Sequence, residues 1–311
     1  MTLDRRTLLA TGAAAMALPG TALGQAPTSP NTAAPILKRR VPQTGYMLPV
    51  IGIGTAIIFD FPESDTQKLE LRKQVLRNLV AGGGSLIDTA AGYGNAEVTV
   101  GAAAEQTNLR SQLFFATKYS SRDTRAQAEG ELKASLQRMK TNYLDLQQAW
   151  NVNDANFSMA QLKEWKAAGT VRQIGITSSQ DGAYDALAQV LKRERPEFFQ
   201  INYSLGDRDA EKVLLPAAQD AGCAVLTNLP FGRNSMFAKV KGKPLPDFAK
   251  EIDCTSFAQL FLKYILGHPA VTAVIPGTDL PQYMLDNLNA GRGRMPDAAM
   301  RRRIETWFES V

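Results

Sequence analysis

The chain has 311 residues and is poor in the residues that carry metal and thiol chemistry: two cysteines, Cys223 and Cys254, and one histidine, His268. Two cysteines cannot build a disulfide scaffold, and without C-x-x-C spacing there is no thiolate metal cluster. A lone histidine excludes most catalytic metal sites, so no metal is expected, and it restricts acid–base chemistry. Charge of one sign is also scarce. The 35 Lys and Arg against 30 Asp and Glu leave a formal +5, too mild an excess for a nucleic-acid binder. No apolar run reaches the roughly 20 residues of a membrane span, so no stable membrane anchor is expected. With 44% hydrophobic and 21% charged residues, the balance is that of a globular protein and excludes disorder, collagen and coiled coil. A length above about 250 residues leaves one large barrel or two ordinary domains.

Residues 1–26 read as an address. Asp4-Arg5-Arg6-Thr7-Leu8-Leu9 leads into an alanine-rich apolar stretch, then small residues from Ala22 to Ala26. That order describes a cleavable signal peptide, and paired arginines before a weakly hydrophobic core point to the twin-arginine route. The export machinery is therefore an expected partner and the bacterial periplasm the expected destination. Residues 27–40, with Pro27, Ser29, Pro30, Thr32 and Pro35, read as a flexible leader. Residues 41–311 are then a single domain.

From residue 48 onward short apolar strands alternate with amphipathic helices. Strands are expected over 49–56, 85–89, 113–118, 144–150, 173–177, 198–203, 224–229 and 271–276, rich in the branched and aromatic residues of buried parallel strands. Leu132, Leu136 and Met139 line one helix face, Leu187, Val190 and Leu191 another, and Val213, Leu214 and Ala217 a third. Strict alternation means a parallel sheet, and eight units fit an α/β fold of the closed (β/α)8 TIM-barrel type. The doubly wound alternative needs a Gly-rich turn, but Gly52-Ile53-Gly54 is followed by Ile57 where the third glycine belongs.

In such a barrel, polar residues at the C-terminal strand ends face the active site. The second expected strand runs into Asp88-Thr89-Ala90-Ala91-Gly92-Tyr93-Gly94-Asn95 and the third ends Ala116-Thr117-Lys118. An acid, a phenol and an amine converge. A phenol ordinarily holds its proton to about pH 10 and becomes a useful acid when an ammonium stabilises its phenolate. Asp88 would hold Lys118 charged and oriented, and Tyr93 would act as general acid or base. In the plain structural alternative, Asp88 caps a loop and Lys118 is a snorkelling strand end.

These residues together resemble the aldo-keto reductase family. The stretch from Asp88 to Asn95, Ala116-Thr117-Lys118, Tyr143-Leu144-Asp145-Leu146, Val171-Arg172-Gln173-Ile174-Gly175-Ile176-Thr177, Gln200-Ile201-Asn202-Tyr203-Ser204 and Ile275-Pro276-Gly277-Thr278 with Asn287 follow in the family's order. The resemblance covers residues 40–295. It implies metal-free hydride transfer between NAD(P)(H) and a small carbonyl or alcohol, with Tyr93 protonating the oxygen and Lys118 and Asp88 tuning it. It further implies a cofactor held by Thr177, Ser178, Gln200, Asn228, Pro230, Gly277, Thr278, Asp286 and Asn287.

Two departures stand out. Where the family has a histidine at the end of the fourth strand, this chain has Trp150, a hydrogen-bond donor that cannot exchange protons. His268 lies between a helix and the eighth strand, at the other end of the barrel, and cannot replace it. Tyr283 and Gly277 occupy positions where many members carry a cation for the 2′-phosphate of NADPH. Two other classes therefore remain open: a periplasmic small-molecule binding protein on a catalytically altered barrel, and a non-redox lyase or isomerase with Tyr93 as base. Cys223 and Cys254 are expected free and buried, Arg292, Arg294 and Arg301 to Arg303 a solvated helix face, and 231–250 a substrate lid.

Overall fold

A short antiparallel hairpin, β1 (Lys38–Arg40) and β2 (Met47–Pro49), opens the computed structural model, which describes residues 34–311. The expected signal peptide and residues 27–33 of the expected leader lie outside the described residues. Residues 38–40 correct the leader's boundary, because they form β1 and the chain is already paired there. Eight parallel strands follow in sequential order: β3 (Ile53–Gly54), β4 (Leu86–Asp88), β5 (Phe114–Ser120), β6 (Leu144–Trp150), β7 (Val171–Ser178), β8 (Phe198–Asn202), β9 (Ala224–Asn228) and β10 (Val271–Val274). Around them lie α1 (Thr66–Ala81), α2 (Ala96–Gln106), α3 (Arg125–Arg138), α4 (Ala160–Ala167), α5 (Tyr184–Glu194), α6 (Leu214–Asp220), α7 (Ser235–Lys239), α8 (Phe257–Leu266), α9 (Pro281–Ala290) and α10 (Ala298–Ser310).

The sheet closes on itself as the expected (β/α)8 barrel. Ile51 bridges Val274 and Gly54 bridges Gly277, with the Gly52 N–H donating to Val274 O at 2.9 Å and the Gly54 N–H to Pro276 O at 3.1 Å. A Cβ on Gly52 would stand 2.8 Å from the Leu86 side chain, and one on Gly54 2.9 Å from the Ile275 carbonyl. Gly54 lets the chain close at the seam and Gly52 lets it approach β4; they do not form a phosphate-binding turn. The expected strand 49–56 is found as Ile53–Gly54, with Pro49 paired in β2 and Ile51 in an isolated bridge.

Inside the barrel Leu86, Phe114, Ala116, Leu146, Phe198, Ala224, Leu226, Ala273 and Ile275 form one apolar cluster, which Val41 and Leu48 of the hairpin join. Gln43, in the hairpin turn, donates Nε2 to Pro196 O at 2.8 Å and Gly222 O at 3.2 Å. The hairpin thus plugs the N-terminal end of the barrel and leaves the C-terminal end as its mouth. Leu187, Val190 and Leu191 are buried as expected. On α6 the buried stripe is Leu214, Leu215 and Ala218, while Val213 is 39% exposed, because Val213 precedes the helix as its N-cap with non-helical backbone. Residues 231–250 are no simple lid: Met236 and Val240 are buried, and Phe237 packs between Phe231 (4.9 Å) and Phe261 of α8 (5.6 Å).

Candidate active site

Strand register assembles the mouth. Asp88 ends β4 opposite Ala116 of β5, Lys118 lies two residues further along β5 opposite Gln148 of β6, and Trp150 ends β6 opposite Thr177 of β7. Period-two alternation turns Leu146, Gln148 and Trp150 to one face. That face is the inner one, where Leu146 joins the barrel core.

Asp88 and Lys118 are both buried. The Lys118 ammonium donates to Asp88 Oδ1 and Oδ2, each at 2.7 Å, and to Thr89 O at 2.6 Å, which uses its three protons. Burial pushes the Asp88 carboxyl above its ordinary range, while the Lys118 ammonium and the Gln200 amide pull it back. Tyr93, half-buried on the turn after β4, presents its ring 5.4 Å from Lys118 Nζ. The ammonium therefore reaches the phenol as a nearby charge and not as a hydrogen-bond donor.

Trp150 meets Tyr93 edge-on, with centroids 6.1 Å apart and planes at 75°. Its backbone is fixed on both sides: Trp150 O accepts from Ser121 N at 3.0 Å, and Val152 N donates to Thr177 O at 3.1 Å. A Cβ at Gly92 would lie 2.9 Å from Trp150 Cζ3, so the glycine makes room for the indole.

Gln200 is the centre of an amide chain. Its Nε2 donates to Asp88 Oδ2 at 3.1 Å and Asn228 Oδ1 at 2.6 Å, and its Oε1 accepts from Gln148 Nε2 at 2.6 Å. Gln148 Oε1 and Asn202 Oδ1 are buried without a hydrogen-bond partner among the described residues, a costly state for polar atoms that a ligand's N–H groups would relieve. Sequence reasoning had singled out neither residue. Inward alternation along β6 and β8 was the available signal.

Thr177 and Ser178 are buried at the end of β7 and Pro230 is buried after β9. Asn287 Nδ2 donates to Thr278 Oγ1 at 2.9 Å, and Thr278 Oγ1 to Pro276 O at 3.2 Å, shaping the loop before α9. Asp286 holds the start of α8, accepting from Ser256 Oγ at 2.8 Å and Gln259 Nε2 at 2.6 Å. A Cβ on Gly277 would touch only Ile58, at 3.9 Å, and Tyr283 is 52% exposed.

His268 precedes β10, at the plugged end of the barrel, where Nδ1 accepts from Ala270 N at 3.2 Å. Cys223 and Cys254 are free and buried, as expected, and burial pushes each thiol up to about 12. Of the arginines expected on a solvated helix face, Arg294, Arg302 and Arg303 are exposed, while Arg292 and Arg301 are half-buried. Arg292 donates to Gly82 O at 2.7 Å, Arg294 pairs with Asp253 at 2.6 Å, Arg301 reaches Glu211 at 2.5 Å, and Arg303 pairs with Glu251 at 2.9 Å. Among the described residues no group of three or more His, Cys, Asp or Glu could hold a metal ion. No described helix is long and apolar enough to cross a membrane.

A family model described as the aldo/keto reductase family matches residues 50–305. The chain is 28% identical over 234 residues to methylglyoxal reductase YeaE of Escherichia coli, spanning 73% of this chain and 80% of that protein. It is 26% identical over 268 residues to an NADH-specific methylglyoxal reductase of the same organism, spanning 69% and 80%. In fold it is similar to an aldo-keto reductase from Klebsiella pneumoniae solved in complex with NADPH, at a TM-score of 0.73 and 21% identity over 88% of this chain and 95% of that one.

Proposed function

The chain belongs to the aldo/keto reductase family, and from that premise we propose that it is a NAD(P)-dependent oxidoreductase acting on a small carbonyl or alcohol with Tyr93 as general acid and base. The observation that carries the reading is the buried Asp88–Lys118 pair beside the Tyr93 ring at the barrel mouth. In the reducing direction Tyr93 gives its hydroxyl proton to the carbonyl oxygen, and the fixed Lys118 charge stabilises the phenolate left behind. Asp88 keeps Lys118 in place. When bound, the nicotinamide supplies the hydride that reaches the carbonyl carbon. The mouth suits a carboxamide: Gln200, Asn202 and Gln148 offer amide groups there, two of them with an unpartnered buried oxygen. Thr177, Ser178, Asn228, Pro230, Gly277 and Thr278 would line the rest of the nucleotide's path. Asn287 would shape it through Thr278, and Asp286 would support it.

Trp150 stands where the family's histidine is expected. Its indole N–H donates a hydrogen bond to a substrate oxygen but exchanges no proton, and its ring limits the pocket to small substrates. The same ring favours a second reading, a binding protein that keeps the pocket without turnover. Titrating tryptophan fluorescence with NADH and NADPH, together with an assay of small-aldehyde reduction, separates the two. Saturable quenching with turnover supports the oxidoreductase, whereas a folded chain that responds to neither nucleotide defeats it.

We also propose twin-arginine export to the periplasm, on Arg5 and Arg6 ahead of the weakly apolar stretch. Replacing both with lysine should retain the chain in the cytoplasm, and undiminished export of that variant rejects the route.

A further inference from the structure

Tyr93 stands on the turn between β4 and α2, and α2 begins without a side-chain cap from Asn95. The tie comes from elsewhere in the chain. The Asn95 N–H and Nδ2 donate to Asp60 Oδ1 at 2.8 and 3.3 Å, which sets a carboxylate at the positive end of the helix. Between Tyr93 and Asn95, Gly94 has φ +56°, and any Cβ there would run into the Asp60 carboxylate.

The loop that carries Asp60 is itself anchored. Arg72 of α1, buried at 6% exposure, donates Nε to Ile58 O at 2.7 Å, also donates to Asp279 O, and lies 5.5 Å from the rings of Phe59 and Phe61. Thr99 of α2 adds a bond from Oγ1 to Phe61 O at 3.2 Å. Asp279 follows Thr278, in the loop assigned above to the nucleotide. One guanidinium thus links that loop to the segment ending in Asp60, and Asp60 passes the restraint to the turn of Tyr93.

We propose that Asp60 is a positioning residue for Tyr93: its carboxylate clamps the turn 92–95 to the Arg72-anchored loop, so that the phenol keeps one place beside Lys118 and Trp150. The proposal rests on the reading of Tyr93 as proton donor. Asp60 touches no reacting atom and acts only through the turn.

The test uses Asp60→Ala, which removes the acceptor, and Asp60→Asn, which retains an acceptor oxygen. Small-aldehyde reduction with NADH should lose about tenfold in kcat in Asp60→Ala, with nucleotide KM held within about twofold, as expected for a displaced acid. Asp60→Asn should recover most of the loss. A second readout needs no turnover. Trp150 packs edge-on against Tyr93, so acrylamide quenching of its emission, isolated by subtracting matched Trp150→Phe variants, should rise in Asp60→Ala and not in Asp60→Asn. Wild-type kcat and quenching in Asp60→Ala overturn the proposal, and so does an Asp60→Asn variant as impaired as Asp60→Ala. A wild-type chain that reduces no aldehyde defeats the reading of Tyr93 by itself, and unchanged quenching in Asp60→Ala then defeats the clamp as well.

Discussion

Lys118 commits its three protons to Asp88 and Thr89, so the pair is a fixed dipole built into the barrel and not a mobile proton carrier. Burial raises the Asp88 carboxyl, which means that ionising it opposes folding above its ordinary range unless Lys118 answers it. Lys118→Met should therefore destabilise the fold at neutral pH by about 3 kcal/mol, the cost of stranding a buried charge, and the double variant Lys118→Met/Asp88→Asn should regain most of it. Urea unfolding of the set checks this, and activity should stay lost in both. Trp150 carries the second expectation at this scale. Trp150→His places a group that accepts, donates and titrates near neutrality against Tyr93 and should raise small-aldehyde reduction by about tenfold. An unchanged rate would show that the indole is no handicap. The acid, phenol and amine were legible in the sequence because strand ends carry them in order. Gln148 and Asn202 were not, because an amide on a strand gains meaning only once its inward face and missing partner are known.

Elements separate stability from chemistry. The hairpin of β1 and β2 sits at the barrel end opposite the mouth, and Leu48 is fully buried among the interior residues. Leu48→Ala should cost about 3 kcal/mol of stability, within the range for a buried leucine, and leave the kcat of the folded fraction unchanged. The hairpin was invisible in the sequence, where 27–40 has a linker's composition and the pairing depends on three-residue strands. Except for β3, whose two residues offer only Ile53, the barrel strands were readable because each carries at least two buried branched or aromatic residues. The α6 stripe was misplaced by one position because nothing at Val213 marks where helical backbone begins. At the start of α9, Tyr283 is half-exposed and free to be replaced. Tyr283→Arg should tighten NADPH by about tenfold through a charge-assisted phosphate contact and leave NADH nearly unchanged. Nucleotide titration of the variant reads the ratio.

At the scale of the whole molecule, long-range ties close the barrel's outer layer. Arg294, beyond α9, holds Asp253, before α8, and its hydrogen bonds pull the Asp253 carboxyl down to about 2. A folded value below the unfolded one contributes stability that is fully present above the ordinary aspartate range and is lost as pH falls through the folded value. The difference in urea midpoint between the wild-type chain and Asp253→Asn should hold constant from neutrality to about pH 5 and vanish towards pH 2. Its size should stay within about 1 kcal/mol, because the pair is partly exposed. The central claim is that this barrel moves a hydride under the control of Tyr93, and isotope transfer tests it most directly. NADH deuterated at the nicotinamide C4 position is incubated with a small aldehyde, and the alcohol product is analysed for deuterium at the former carbonyl carbon. The account predicts deuterium there with the wild-type chain and none with Tyr93→Phe, although that variant still binds the nucleotide. A wild-type chain that binds NADH and aldehyde yet yields no deuterated alcohol, or a Tyr93→Phe variant that yields as much as wild type, would contradict it.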